Sequence, residues 1–267
     1  MPTWKLTLEY EGTRYSGWQE QQNARTVAGE IRIAAKEVLG SPVEVSGAGR
    51  TDAGVHALAQ VARLKSAATA RPLELLRALN DRLPPDINIL KAEEARASFD
   101  PRRDAVNRYY LYQIATRRTA FAKRFVWWVK DRLDVGLMSE ACQHLAGRHD
   151  FAQFCEKPEA DKSTIVVVER VEIGMEGDLI LFRLGASHFL WKMARRITGA
   201  LVGVGRGALA VKDFRALIDS GRAGAPSIKF NVAAHTAPPS GLFLERVVYA
   251  GDDEPGPLAP AFPVRSA

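Results

Sequence analysis

Apolar and polar residues alternate from Trp4 through Leu6 and Leu8 to Tyr10, the two-residue period of a strand with one buried face. Glu11-Gly12 ends the run. From residue 26 the period lengthens. Val27, Ile31, Ala34, Ala35 and Val38 share one helical face, Thr26 stands at the N-cap, Glu30 lies in the first turn and Gly40 follows the end. This predicts a helix over 26–39. Short strands are predicted at Val43–Ser46 and Ala57–Lys65, a helix over 72–82 closed by Pro84-Pro85, and a strand over 87–95. The first half thus reads strand, helix, strand, strand, helix, strand. That order predicts an α+β plait, ferredoxin- or RRM-like, with an antiparallel sheet.

Phe99-Asp100-Pro101-Arg102-Arg103-Asp104 reads as a connection. Beyond it the pattern predicts strands at Tyr109–Thr116, 165–175, 179–187 and 241–249, with helices over 134–146, 189–204 and 211–220. The helix over 189–204 rests on Phe189, Met193, Ile197 and Leu201, spaced four apart. The halves share a similar order of elements without a sequence repeat. The expected domains are 1–104 and 105–250, each α+β, followed by a Pro-rich tail, 251–267, expected to be loosely held.

Composition narrows the class. The 267 residues carry 46% hydrophobic and 25% charged side chains, values of an ordinary globular chain and not of a disordered one. The formal net charge is +6 and the pI is about 9.4, which suits a polyanionic partner. Two cysteines are too few for a disulfide framework. No apolar run is long enough to span a bilayer, and the N-terminus lacks the apolar core of a secretory signal, so the expected location is cytoplasmic, with no membrane partner. Residues 101–132 hold nine Lys/Arg against two acids, a local excess larger than that of the whole chain. They are interleaved with Tyr109, Tyr110, Tyr112, Phe121, Phe125, Trp127 and Trp128. Such a mixture can contact phosphates and stack on unpaired bases, or it can be a solvated face over an ordinary core.

Several motifs fail. Asp52 stands where a dinucleotide fingerprint needs Gly, and Gly203–Gly207 ends in Ala208. Neither a P-loop ending nor His-Glu-x-x-His occurs. Cys142, His144, His149 and Cys155 lack paired spacing, and residues two apart do not share a helix face, so no metal site is expected. No Gly-x-Ser-x-Gly elbow supports a serine triad.

Gly47-Ala48-Gly49-Arg50-Thr51-Asp52-Ala53-Gly54-Val55-His56 is the most informative stretch. Three glycines surround an Arg-Thr-Asp triplet between two strands. An aspartate so placed can serve as a nucleophile or base, or can merely bond nearby backbone amides in a turn. This stretch with Ala57 resembles the signature of the TruA family of tRNA pseudouridine synthases. Other segments follow that family's order: Tyr10-Glu11-Gly12, Gly17-Trp18-Gln19, Thr26-Val27, Arg108-Tyr109-Tyr110-Leu111-Tyr112, Asp150-Phe151 with Phe154, Phe189 through Met193 to Arg195, and Gly241-Leu242-Phe243-Leu244 with Val247. Trp191-Lys192 departs from the polar pairs usual there.

The resemblance implies isomerisation of uridine to pseudouridine at positions 38, 39 and 40 of the tRNA anticodon stem-loop, by a homodimer and without a cofactor. It implies Asp52 as catalytic nucleophile, Tyr110 as the residue that stacks on the substrate and moves a proton, and Arg195 as the ion-pair partner of Asp52. Arg50 would bind substrate beside the aspartate. The implied fold is two plait-like domains whose sheets join, with the site in a cleft between the halves. Arg117, Arg118, Lys123 and Arg124, from the basic window, are the expected tRNA contacts. Two other readings are a non-catalytic RNA-binding protein, which would not need Asp52, and a carboxylate-dependent nucleoside or glycoside hydrolase, which usually needs a second catalytic acid.

Overall fold

The structure, a computed structural model, describes residues 1–224 and 228–264. Its strands are β1 (Thr3–Tyr10), β2 (Val43–Gly47), β3 (His56–Ser66), β4 (Ile87–Glu94), β5 (Ala105–Ala115), β6 (Trp127–Trp128), β7 (Gly147–Asp150), β8 (Ile165–Glu176), β9 (Leu179–Ala186) and β10 (Leu242–Tyr249). Its α-helices are α1 (Val27–Leu39), α2 (Pro72–Arg82), α3 (Val135–Gln143), α4 (Met193–Gly205) and α5 (Val211–Asp219). The backbone forms two compact units, one of Met1–Val106 with Phe243–Glu254 and one of Asn107–Leu242 with the chain from Pro255 onward. Each is α+β, with a mostly antiparallel sheet and helices packed on it.

In the first unit β1 lies between β3 and β4, antiparallel to both, and β2 extends the sheet from β3. The expected alternation holds: Trp4, Leu6, Leu8 and Tyr10 are buried, whereas Lys5, Thr7 and Glu9 are half-buried. α1 forms because its apolar positions recur at helical spacing and both ends are capped. Thr26 Oγ1 accepts from the Gly29 amide, and left-handed Gly40 closes the last turn on the Lys36 carbonyl. Val27, Ala28, Ile31, Ala34 and Ala35 are the residues it buries. The last strand belongs here. β10 runs parallel to β3 through Phe243 opposite His56 and Leu244 opposite Ala57. A linear division near residue 104 leaves that strand in the second half, because local patterns do not encode pairings between distant segments.

In the second unit the strands run β5, β9, β8, β7, antiparallel throughout, with two-residue β6 parallel to the end of β5. β6 and β7 are too short to show a period. Every residue of α4 except Arg195 is buried, as expected of a helix apolar nearly all round. α4 starts at Met193 and not at residue 189. Lys192 takes a left-handed conformation, with φ +61°, which ends the helix there.

The tail is held, contrary to the expectation of a loose end. Arg183 and Gln113 lie buried on one face of this sheet and need partners. The Arg183 guanidinium donates to the carbonyls of Gly256 (2.9 Å) and Pro257 (3.2 Å) and to Glu172 (2.8 Å). Gln113 Oε1 accepts from the amides of Ala261 (2.7 Å) and Phe262 (3.2 Å), and the Phe262 ring stacks on Phe125.

Candidate active site at the Gly47–His56 loop

The loop between β2 and β3 is tied down along its length. The Ala48 amide donates to the Val61 carbonyl (2.8 Å). The Thr51 carbonyl accepts from the Trp18 amide (3.1 Å), and the Gly54 amide donates to the Tyr15 carbonyl (3.3 Å). A tight turn closes where the Val55 amide donates to the Asp52 carbonyl (3.2 Å). At the end of the loop His56 is buried, accepts from the Gly12 amide through Nδ1 (3.0 Å) and stacks on Phe243.

Two glycines outside the loop let the backbones approach this closely. A Cβ on Gly12 would stand 1.9 Å from the Val55 carbonyl oxygen. At Gly17, φ is +94° and a Cβ would stand 2.6 Å from the Thr51 carbonyl oxygen. The segment after β1 is therefore the seat of the loop. On this seat Thr51 is buried, Arg50 is exposed and Asp52 is half-buried. Beneath it, burial raises the Tyr10 phenol to about 12, against smaller opposing effects of its hydrogen bonds to Thr51 and Gln60, so it stays neutral.

The other expected site residues lie in the second unit. Tyr110, on β5, is buried with its ring edge-on to Phe189 at 4.7 Å. Phe189 lies in the stretch before α4 that is not helical. Arg195, in the first turn of α4, donates from Nε to the Ala237 carbonyl (2.7 Å). Tyr112, two residues from Tyr110 on β5, donates to the Pro238 carbonyl (2.7 Å). Burial pushes its phenol well above the ordinary value, and the charge of Arg195 offsets part of that rise. Tyr112 and the 237–238 carbonyls thus lie about Arg195, and Tyr110 packs on Phe189 in the same unit.

The basic window is heterogeneous. Arg108 is buried and donates to the Ser187 carbonyl (2.8 Å), and Arg117 is ion-paired with Asp178 at 2.6 Å. Arg118, Lys123 and Arg124 are exposed, and the Arg118 guanidinium lies over the Trp128 ring at 5.9 Å. Of the interleaved aromatics, Tyr109 and Tyr112 are core residues, whereas Phe121 is 93% and Trp128 42% exposed.

Among the described residues no group of three or more His, Cys, Asp or Glu is placed to hold a metal ion. Cys142 and Cys155 are buried free thiols, and burial raises Cys142 to about 12.

Pattern reading missed the frame of the loop. Tyr10 reads as one more apolar strand position, and Gln60 as one polar residue in a mixed strand. The available signal is a glutamine between Ala59 and Val61 in an otherwise mostly apolar stretch.

The family model described as tRNA pseudouridine synthase matches residues 7–102 and 141–250. Those segments contain Asp52 and Arg195; Tyr110 and nearly all of the basic window fall between them. A protein from Beijerinckia indica named tRNA pseudouridine synthase A is 40% identical over 265 residues, covering 98% of this chain and 99% of its own. One of the same name from Brucella ovis is 38% identical over 255 residues, covering 94% and 99%. With matches of this extent on both counts, the chain belongs to the tRNA pseudouridine synthase family.

Proposed function

We propose that this protein isomerises uridine to pseudouridine in tRNA, at positions 38, 39 and 40 of the anticodon stem-loop, with Asp52 as the catalytic carboxylate. The observation that carries this reading is the full-length similarity to tRNA pseudouridine synthases, together with Asp52 on a loop whose backbone is fixed from several sides.

The reaction breaks the N1–C1′ bond of uridine, turns the uracil and joins C5 to C1′. N1 gains a proton and C5 loses one, so no electrons are exchanged and no cofactor is required. An ionised Asp52 can attack the sugar or the base, or stabilise positive charge on the sugar. In this reading Arg195 pairs with the Asp52 carboxylate and favours its charged form. Tyr110 stacks on the uracil and can relay a proton. Arg50, exposed beside Asp52, contacts the RNA backbone or fills the space of the displaced base. A stem uridine must leave the helix to be reached, at a cost of a few kcal/mol.

Arg118, Lys123 and Arg124 supply phosphate contacts, and exposed Phe121 and Trp128 offer faces for unpaired bases. Arg117 contributes less, since Asp178 already neutralises it. The working unit is a homodimer in the cytoplasm. In support of a non-membrane role, no helix among the described residues is long and apolar enough to cross a membrane.

tRNA labelled with tritium at uridine C5 tests the reading, because forming the C5–C1′ bond sends that hydrogen to water. Release by the wild type, and a loss of at least about 10³-fold in Asp52→Asn with tRNA affinity kept, is the expected result. Free uracil among the products would mark a hydrolase. A folded, tRNA-binding wild type that releases no tritium from tRNA would mark a non-catalytic binder.

A further inference from the structure

Gln60 is wholly buried in β3, at 0% exposure, yet its amide faces the Asp52 loop and not an apolar neighbour. Nε2 donates to the Gly49 carbonyl (2.9 Å), and Oε1 accepts from the amides of Gly49 (3.3 Å) and Val61 (3.2 Å). One side chain therefore engages both backbone polar groups of Gly49, as a neighbouring strand would. Nε2 also reaches Tyr10 Oη (3.4 Å), and Oη lies 2.8 Å from Thr51 Oγ1. Since Oη accepts from Gln60, its own hydrogen is available to Thr51. The network holds the residues at 49 and 51, on either side of Arg50 and immediately before Asp52.

Packing does not ask for these polar atoms. A buried amide or phenol is costly unless its hydrogen bonds are made, and methionine and phenylalanine would fill the same volumes without that requirement. What the polar atoms add is a fixed path for the backbone that carries Asp52. Reactions of this kind are sensitive to small displacements: a misplacement of about 1 Å can cost on the order of 10²-fold in rate.

We propose that Gln60 and Tyr10 are positioning residues for catalysis, which hold Gly49 and Thr51 so that the Asp52 carboxylate is aimed before substrate arrives. The proposal rests on the assignment of Asp52 as the catalytic group.

The test compares the full-length wild type with Gln60→Met, Tyr10→Phe, Gln60→Glu and Asp52→Asn, reading kcat and KM by tritium release from tRNA and the folded fraction by circular dichroism. Gln60→Met should lower kcat by roughly 10- to 100-fold and Tyr10→Phe by roughly 3- to 10-fold, with KM for tRNA within about twofold. Gln60→Glu supplies a signature that a merely structural role would not give. A neutral glutamic acid keeps one donor and one acceptor, and burial raises its pKa toward neutrality. Its kcat relative to wild type should therefore rise as the pH falls from about 8 to about 6, at constant folded fraction. Unchanged kcat in Gln60→Met and Tyr10→Phe with only a lowered melting temperature would overturn the proposal. Should Gln60→Met fail to fold, Tyr10→Phe, which deletes a single oxygen, carries the test. An inactive Asp52→Asn beside fully active network variants overturns positioning alone, whereas an active Asp52→Asn overturns the aspartate assignment itself.

Discussion

The Gly47–His56 loop and the 116–126 loop each lead into a strand, and they differ in how far their polar side chains stand in solvent. The first is bonded from several sides by buried groups, with backbone passing over Gly12 and Gly17. In the second, Arg118, Lys123, Arg124 and Phe121 stand in solvent, while the backbone between them is held by Thr116 and Arg117 on Asp178, by the Gln113 side chain on the Phe125 carbonyl, by Ser240 on the Val126 carbonyl and by Phe125 stacked on Phe262. The difference suits the two tasks proposed for them. A group that must meet one carbon atom benefits from a frame that does not reorganise. Charges that must meet a polyanion gain from exposure and reach, and lose little from mobility. Lesions in the first loop should therefore appear in kcat, and lesions in the second in affinity and its salt dependence.

The severest test of that contrast, after removal of Asp52 itself, is Gly12→Ala. Its methyl group would meet the Val55 carbonyl, so one backbone must move. We expect kcat to fall by at least about 10-fold and stability by roughly 2 kcal/mol, with tRNA affinity within about twofold, measured by tritium release, thermal denaturation and filter binding. A large loss of affinity would show that the seat of this loop also shapes the RNA surface.

Next in size is the double change Arg118→Glu with Lys123→Glu. Kd for tRNA should rise about 10-fold at low salt and the slope of log Kd against log salt should flatten by about two, while kcat at saturation stays within twofold. Removing the Arg117–Asp178 pair as a unit, with Arg117→Gln and Asp178→Asn, leaves the net charge unchanged and should do less. A loss as large as that of the Arg118→Glu, Lys123→Glu change would mean that the pair opens on binding RNA.

The smallest effect concerns the tail. Burial raises Glu172, but hydrogen bonds from Arg183 and Arg170 outweigh this and hold it below its ordinary 4.5. A depressed carboxylate contributes stability that is present above the ordinary value and is lost as the pH falls below about 4.5. Glu172→Gln should flatten that acid limb in thermal melts and leave kcat near neutral pH unchanged. This cluster is polar and centred on a buried side chain, Arg183, like the Gln60–Tyr10 network, yet it faces the tail. A fall in kcat would erase the distinction between polar groups that hold a fold and those that aim a carboxylate.

How much was legible in the sequence differs between fold and site. The alternation through Trp4, Leu6, Leu8 and Tyr10 gave β1, and Thr26 with Gly40 bounded α1, since period and caps are local properties of a few adjacent residues. The glycines around Asp52 marked its loop for the same reason: backbone freedom is a property of the residue itself. The start of α4 was misjudged by four residues, because the four-residue spacing of Phe189 and Met193 says nothing of the left-handed turn at Lys192 between them.

What only the tertiary structure decided depends on contacts between distant segments. It placed β10 on β3, laid the tail over Arg183 and Gln113, buried Arg108 and Tyr109 out of a window that reads as uniformly basic and aromatic, and turned Gln60 toward Gly49. A sequence determines which groups are polar. Whether a polar group meets water, a distant carbonyl or the loop that carries Asp52 depends on the fold as a whole, because a hydrogen bond requires a partner within about 3 Å and the chain brings that partner from anywhere along its length.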